Sequence, residues 1–185
     1  MDDLIGTQHP ARHLAPAEAV TALETAVPNL AHHRRTTPTP PDWTRIENTL
    51  GIGLPPDFRL LAELYPSFLL GDFLHAPLPA PGREPDWLAG VEGELETVRD
   101  WWDSDMPIGL PPHPASGGLL PWGSSLSGDV FLWTTAKPWL VTVASRNLEW
   151  WHYSGGTAQF LAEYASGMLE PWSLPELGAG VEVFT

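Results

Sequence analysis

Cysteine is absent from this 185-residue chain. A disulfide framework, a thiolate metal site and a cysteine nucleophile are therefore excluded. Lysine is nearly absent: Lys137 stands alone, and 9 basic residues face 23 acidic ones for a net charge of −14. Such a field repels phosphate backbones and anionic membranes and favours basic partners. No apolar run reaches the roughly 18 residues of a membrane-spanning helix. The start, Met1-Asp-Asp-Leu-Ile-Gly6, is acidic and lacks the apolar stretch of a secretory signal, so a cytoplasmic location is expected. Also missing are the glycine-rich phosphate loops and the His-Glu-x-x-His metalloprotease pattern. No cofactor or metal is expected, and neither nucleic acid nor membrane as a partner.

Tryptophan is what the chain has in excess, with 10 residues. Large aromatics dominate cores and interfaces, and 10 are more than a small core usually holds, so some are expected at the surface. The charge is unevenly spread. Residues 1–41 are near neutral, whereas residues 42–185 carry a net −13.

Residues 1–41 read as an accessory segment: a short helix over Pro16 to Val27, then the linker His32-His-Arg-Arg-Thr-Thr-Pro-Thr-Pro-Pro41. The main domain spans 42–169. Trp43, Ile46 and Leu50 recur at helical spacing and Gly51 stops the pattern. Leu54-Pro55-Pro56-Asp57-Phe58 opens a second helix, with Asp57 suited to the positive end of its dipole, and Pro66 closes it. Phe68 to Leu74 predicts a strand or hairpin arm broken at Gly71-Asp72. Leu88, Val91, Leu95, Val98 and Trp102 keep helical spacing after Asp86, and Met106 to Gly118 reads as a long loop. Strand signals cover 119–122, 129–134, 138–144 and 148–153. Gly155-Gly156-Thr157 caps a last helix with Phe160, Leu161, Tyr164 and Ala165 on its apolar stripe. Residues 170–185 read as a tail. This order predicts an α+β fold: two helices, a small and mainly antiparallel sheet with an interposed helix, and a C-terminal helix packed on the sheet.

Chemistry-bearing patterns are few. Gly123-Ser-Ser-Leu-Ser127 approximates the hydrolase nucleophile elbow, but Ser127 replaces its second glycine and the setting is strand-turn-strand. Asp103-Ser-Asp105 spaces carboxylates as some cation loops do, and Asp72 or Asp129 could join them. A solvated helix end accounts for that pair more simply, and Asp129 suits a turn that accepts backbone hydrogen bonds. Glu92, Glu94, Glu96, Asp100, Asp103 and Asp105, with only Arg99 among them, read as an acidic helix face. With Asp72 they are the candidate partner-binding residues. Glu92 and Glu96 are like charges at i, i+4, which costs helix stability a few tenths of a kcal/mol.

The pattern Trp43-x-x-Ile46-Glu47-x-x-Leu50-Gly51-x-x-Leu54-Pro55-x-Asp57-Phe58-x-x-Leu61, then Tyr65 and Gly71-Asp72-Phe73-Leu74, resembles the front half of the SUKH superfamily. Leu119-Leu-Pro-Trp122-Gly123, Gly128-Asp129, Trp133, Trp139 and Phe160-Leu161 continue the resemblance to about residue 169. That group contains fungal cell-wall-synthesis regulators and bacterial immunity proteins. The resemblance implies a non-catalytic α+β module that binds and neutralises a toxin, often a nuclease. It also implies that Trp43, Leu50, Gly51, Leu54, Pro55, Phe58, Tyr65, Gly71, Trp122, Gly123, Gly128 and Asp129 are structural determinants. One departure is Pro66-Ser67, where the family usually has a glycine-containing turn. The alternatives are a regulatory or scaffold module for an endogenous partner, and a metal-dependent enzyme using Asp72, Asp103, Asp105 or Asp129. The sequence leaves the oligomeric state open.

Overall fold

A computed structural model of the chain describes residues 4–105 and 109–184. The opening residues Met1-Asp2-Asp3 and positions 106–108 of the Met106–Gly118 loop lie outside the described residues. In chain order the elements are β1 (Leu4–Gln8), α1 (Pro16–Ala26), α2 (Pro28–Ala31), α3 (Trp43–Leu50), α4 (Pro56–Leu64), β2 (Ser67–Leu70), β3 (Leu74–Ala76), α5 (Glu84–Asp103), β4 (Leu119–Ser125), β5 (Val130–Thr134), β6 (Leu140–Ala144), β7 (Trp150–Tyr153), α6 (Thr157–Ala165) and β8 (Val181–Phe184). The fold is α+β. All 8 strands join one sheet in the order β1-β7-β6-β5-β4-β3-β2-β8. Neighbours are antiparallel except β1 and β7, which run parallel.

Helix boundaries follow local chemistry. The Asp42 side chain accepts the Arg45 N–H at 2.9 Å to cap α3, and Gly51 ends it in the left-handed conformation at φ 71°. Prolines open α1, α4 and α5, where a missing N–H is harmless. Tyr65 leaves α4 in an extended conformation, so the chain passes through Pro66 straight into β2 and needs no turn glycine.

Strands β5 to β7 are buried on both faces, and alternate residues join two different clusters. Phe131, Trp133, Val141, Val143, Trp151 and Tyr153 join the main core with residues of α1, α4 and α6. Phe160 of α6 is an aromatic hub, with ring centroids 5.7–6.0 Å from Trp122, Phe131, Trp151, Tyr153 and Tyr164. The intervening residues Val130, Leu132, Ala144 and Trp150 meet Leu119 and Val98 in a smaller cluster on the other face. Trp87, Val91 and Leu95 of α5 belong to the main core while Val98 belongs to the second cluster, so this one helix serves both.

The N-terminus of α6 is closed by a distant side chain. Asp57, buried in the first turn of α4, accepts the Ala158 N–H at 2.7 Å through Oδ2. One carboxylate thus sits at the positive ends of two helices. A Cβ on Gly156 would come 2.5 Å from that carboxylate, and one on Gly155 would come 2.5 Å from the Tyr153 ring. The Trp133 indole N–H donates to Thr157 Oγ1 at 2.9 Å beside it. Burial raises the Asp57 pKa, and the Ala158 N–H opposes that rise.

The structure corrects three expectations. Residues 1–41 are not an accessory: β1 forms one edge of the sheet, and Ala19, Val20, Leu23, Val27 and Leu30 are buried in the main core. The linker is docked, because the Arg35 guanidinium donates to the Ala62 and Tyr65 carbonyls, both at 2.8 Å, at the C-terminal end of α4. Nor is 170–185 only a tail, since β8 forms the opposite edge against β2. The sheet is larger than expected because these two terminal strands flank the central six, and the 68–74 segment, read as a strand or hairpin arm, contributes two of those six, β2 and part of β3. Finally, Trp102 does not continue the buried stripe of α5; its neighbour Trp101 packs edge-on against Trp150 at 5.5 Å while Trp102 faces out.

Two stability predictions follow from this packing. Leu23→Ala should cost about 3 kcal/mol in urea unfolding, as for any core leucine; an unchanged midpoint would mean that the N-terminal segment folds apart. Asp57→Ala strands a buried N–H and should cost about 2 kcal/mol, whereas Asp57→Asn keeps the acceptor and should lie close to wild type at neutral pH. Because the folded pKa of Asp57 is raised, the folded state binds the extra proton, so wild type should gain on Asp57→Asn as pH falls from neutral toward the ordinary carboxylate range. Wild type losing ground to Asp57→Asn over that window would contradict the assignment.

Candidate protein-binding surface

The acidic residues of α5 do not form one face. Glu92 and Glu94 are two positions apart, which in a helix places them roughly 200° apart on opposite flanks. Glu92 is held by Arg99, whose Nη1 lies 2.6 Å from its Oε1, and this bond keeps the Glu92 carboxyl below its ordinary range. The same i, i+7 pair offsets the repulsion between Glu92 and Glu96. Glu94 points toward strands β3 and β4 instead. Asp100 and Asp103 are exposed near the C-terminal end of α5, and Asp105 is exposed just beyond it at φ 53°. Asp72 is far away in sequence, exposed in the β2–β3 turn, also at φ 53°.

Strand register brings several of these to one end of the sheet. The β2–β3, β4–β5 and β6–β7 turns all lie there, since Leu74 pairs with Ser125, Val130 with Ala144, and Ala144 with Trp150. The first two turns are joined where the Leu126 N–H donates to the Phe73 carbonyl at 2.9 Å. Trp101, in the last turn of α5, reaches this end and shares a hollow with Gly128, Arg146, Leu148 and Trp150. Leu148, which lines it, is 53% exposed; Leu126 of the β4–β5 turn, at 69%, and Trp102 of the last α5 turn, at 40%, also face solvent.

Leu148 is the most informative of the three. It occupies φ 65°, a left-handed conformation costly for a branched side chain. Its backbone is held in a tight turn, with the Leu148 N–H on the Ser145 carbonyl at 2.9 Å and the Asn147 N–H on Ser145 Oγ at 3.1 Å. A leucine both strained and exposed is better explained by contact with a partner than by folding.

Asp129, 2% exposed, fixes this end. Its carboxylate accepts the Ser125 hydroxyl and, at 3.0 Å, the Arg146 N–H, so one side chain clamps the β4–β5 and β6–β7 turns together. Ser125 is thereby a turn residue, and no histidine faces it in a hydrogen bond. Of the other residues of the pattern, Trp43, Leu54, Phe58, Tyr65 and Trp122 are buried, while Leu50 and Pro55 are half-buried. Gly71 at φ 58° admits the close approach of Gly178, whose N lies 2.6 Å from where a Cβ would stand. Gly123 lies against the His75 carbonyl, and Gly128 takes φ 97° in its turn.

Buried imidazoles lie elsewhere. His152 accepts or donates at 3.0 Å to Thr142 Oγ1, itself 2.7 Å from Thr134 Oγ1, and burial lowers its pKa. His113 donates from Nε2 to the Leu50 carbonyl at 2.7 Å, tying the loop before β4 to α3. Among the described residues no group of three or more His, Asp or Glu side chains is placed to hold a metal ion. Among them too, no helix is long and apolar enough to cross a membrane. Asp72, Asp103 and Asp105 stand in solvent, and Asp129 is committed to the two turns.

Sequence reasoning selected the aspartates but missed Leu126 and Leu148 and placed Trp102 in the core. The available signal was a leucine inside each of two polar turns, Ser124-Ser-Leu-Ser127 and Arg146-Asn-Leu-Glu149. A scan against protein-family models and a search of curated proteins found no match to this chain.

Relieving the strain should separate folding from contact. Leu148→Asn, better suited to the left-handed region, should leave the melting temperature equal to or above wild type. A loss of more than about 1 kcal/mol by calorimetry would show that Leu148 serves packing instead.

Proposed function

We propose that this chain is a non-catalytic binding module that covers a basic protein surface with the acidic, tryptophan-bearing end of its sheet. The observation that carries this reading is the exposed trio of Trp102 in the last turn of α5, Leu126 and Leu148, with Asp100, Asp103 and Asp105 exposed at that end of α5 and Asp72 exposed in the β2–β3 turn. Apolar anchors ringed by charge are the anatomy of a binding hot spot, in which a few buried contacts supply most of the affinity and the rim supplies steering. The net charge of −14 extends that steering over the whole molecule.

Within that class the reading is an immunity-type protein acting in the cytoplasm on a nuclease-type toxin. A nuclease needs a basic surface to hold phosphates, and an acidic inhibitor occupies the same surface. The resemblance of residues 42–169 to the SUKH superfamily supports this, and the α+β fold agrees with it. On this reading the signature residues build the scaffold, and the turns and the last turn of α5 meet the toxin.

Co-expression with the product of a neighbouring toxin gene, scored as rescue of growth, tests the role. Stopped-flow association with the same toxin domain tests the mechanism. The on-rate should fall at least about tenfold as ionic strength rises from 0.01 M to 1 M. Trp102→Ala should weaken binding by about 2 kcal/mol, and Asp100→Asn by less. An on-rate indifferent to salt, with Trp102→Ala binding normally, would sink the reading.

A further inference from the structure

Between α5 and strands β3 and β4 lies a cleft of about 210 Å³, the size of one long side chain. Its walls are Trp87, Val91, Pro121 and Trp122. Both indole N–H groups are already used, Trp87 on the Pro77 carbonyl at 3.0 Å and Trp122 on the Leu132 carbonyl at 3.1 Å. Trp122 is packed into the core at 1% exposure and forms the floor, so the edge of Trp87, at 8%, is the indole surface open to an occupant. Glu94 stands at the mouth, half-buried and without an ion-pair partner among the described residues. The other carboxylate there, Asp86, is exposed and bridged to Arg83 at 3.0 Å.

Two glycines line the cleft, and only one is explained by packing. Gly123 is needed because a Cβ would come 3.0 Å from the His75 carbonyl oxygen across the β3–β4 pair. Gly90 is different. It sits inside the longest helix of the chain, where glycine is the least favourable residue after proline, yet a Cβ there would meet nothing within 4 Å. Its effect is to keep the cleft open. His75, half-buried beside it, is pushed toward the neutral form by burial and adds no competing positive charge at neutral pH.

A slot with aromatic and proline walls and one unpaired carboxylate at its mouth is complementary to an aliphatic stem carrying a cationic head. A guanidinium suits it better than an ammonium, because its plane stacks on an indole while its fork meets the carboxylate. We propose that this cleft receives an arginine side chain of the basic partner, with its methylenes against Trp87 and Pro121 and its guanidinium on Glu94. The inference rests on the reading of the partner as a basic protein. It adds a second, specific contact on the flank of α5 that faces β3 and β4.

The test is an NMR titration of the full chain with N-acetyl-arginine amide, following the Trp87 and Trp122 indole resonances. A saturable shift of both is expected, with no response to N-acetyl-norleucine amide. Glu94→Gln should weaken it at least tenfold. Gly90→Leu should abolish it while raising the melting temperature by about 2–4 °C, because it restores helix propensity and fills the slot. Trp102→Ala should leave this titration unchanged. Equal binding of the norleucine amide, a shift that survives Gly90→Leu, or non-saturable shifts spread over the exposed carboxylates would each overturn the proposal. The titration needs no toxin. Arginine binding here without any basic protein partner would sink only the functional reading, and toxin binding without this shift would sink only the cleft.

Discussion

The carboxylate of Asp57 on the N-terminus of α6 is the contact on which the rest of the architecture depends. Burying a carboxylate is costly, and the raised pKa registers that cost. The positive ends of two helices and the Ala158 N–H offset it. What results is positional: α6 is pinned to α4, Thr157 to Trp133, and Phe160 is driven into the aromatic cluster that lines one face of the sheet. Gly156 follows from the same contact, since a Cβ there would meet the Asp57 carboxylate, whereas Gly155 is required by the Tyr153 ring.

A sheet clamped in this way can present strained turns. Asp129 holds two hairpin ends together, and the last turn of α5 rests on them through Trp101 and Trp150. The stability of the interior tolerates a left-handed leucine at 148 and three exposed apolar side chains at one end. This division between a rigid scaffold and displayed turns is common in binding proteins, where recognition lies on connections positioned by packed elements.

Much of this was legible in the sequence. The helices α3 to α6 and strands β4 to β7 are marked by periodicity, prolines and capping residues that act locally. The terminal strands are not. Leu4–Gln8 is a short, weakly patterned segment whose pairing with β7 spans most of the chain, and no local signal announces such a contact. The 32–41 linker has the composition of a flexible spacer, but Arg35 fastens it to carbonyls that only the fold places within reach. Asp57 was readable as a cap for its own helix, not for one a hundred residues later. Trp101 and Trp102 are adjacent, and a one-residue choice at a helix end decided which enters the core. The acidic face failed as a single surface because helix geometry sends Glu92 and Glu94 to opposite flanks, while Asp72 lies in the β2–β3 turn beside Gly180.

The central claim is that recognition occurs at the turn end of the sheet and not at its β1 edge, where Ile5 is exposed, or just beyond α6, where Met168 is exposed. Hydroxyl-radical footprinting of the chain, free and bound to the toxin domain proposed as its partner, addresses this directly because oxidation reports side-chain access at tryptophan and leucine. Protection of Trp102, Leu126 and Leu148 with unchanged labelling at Ile5 and Met168 is the expected result. Protection at Ile5 or Met168, with the turn end labelled as in the free protein, would contradict the account.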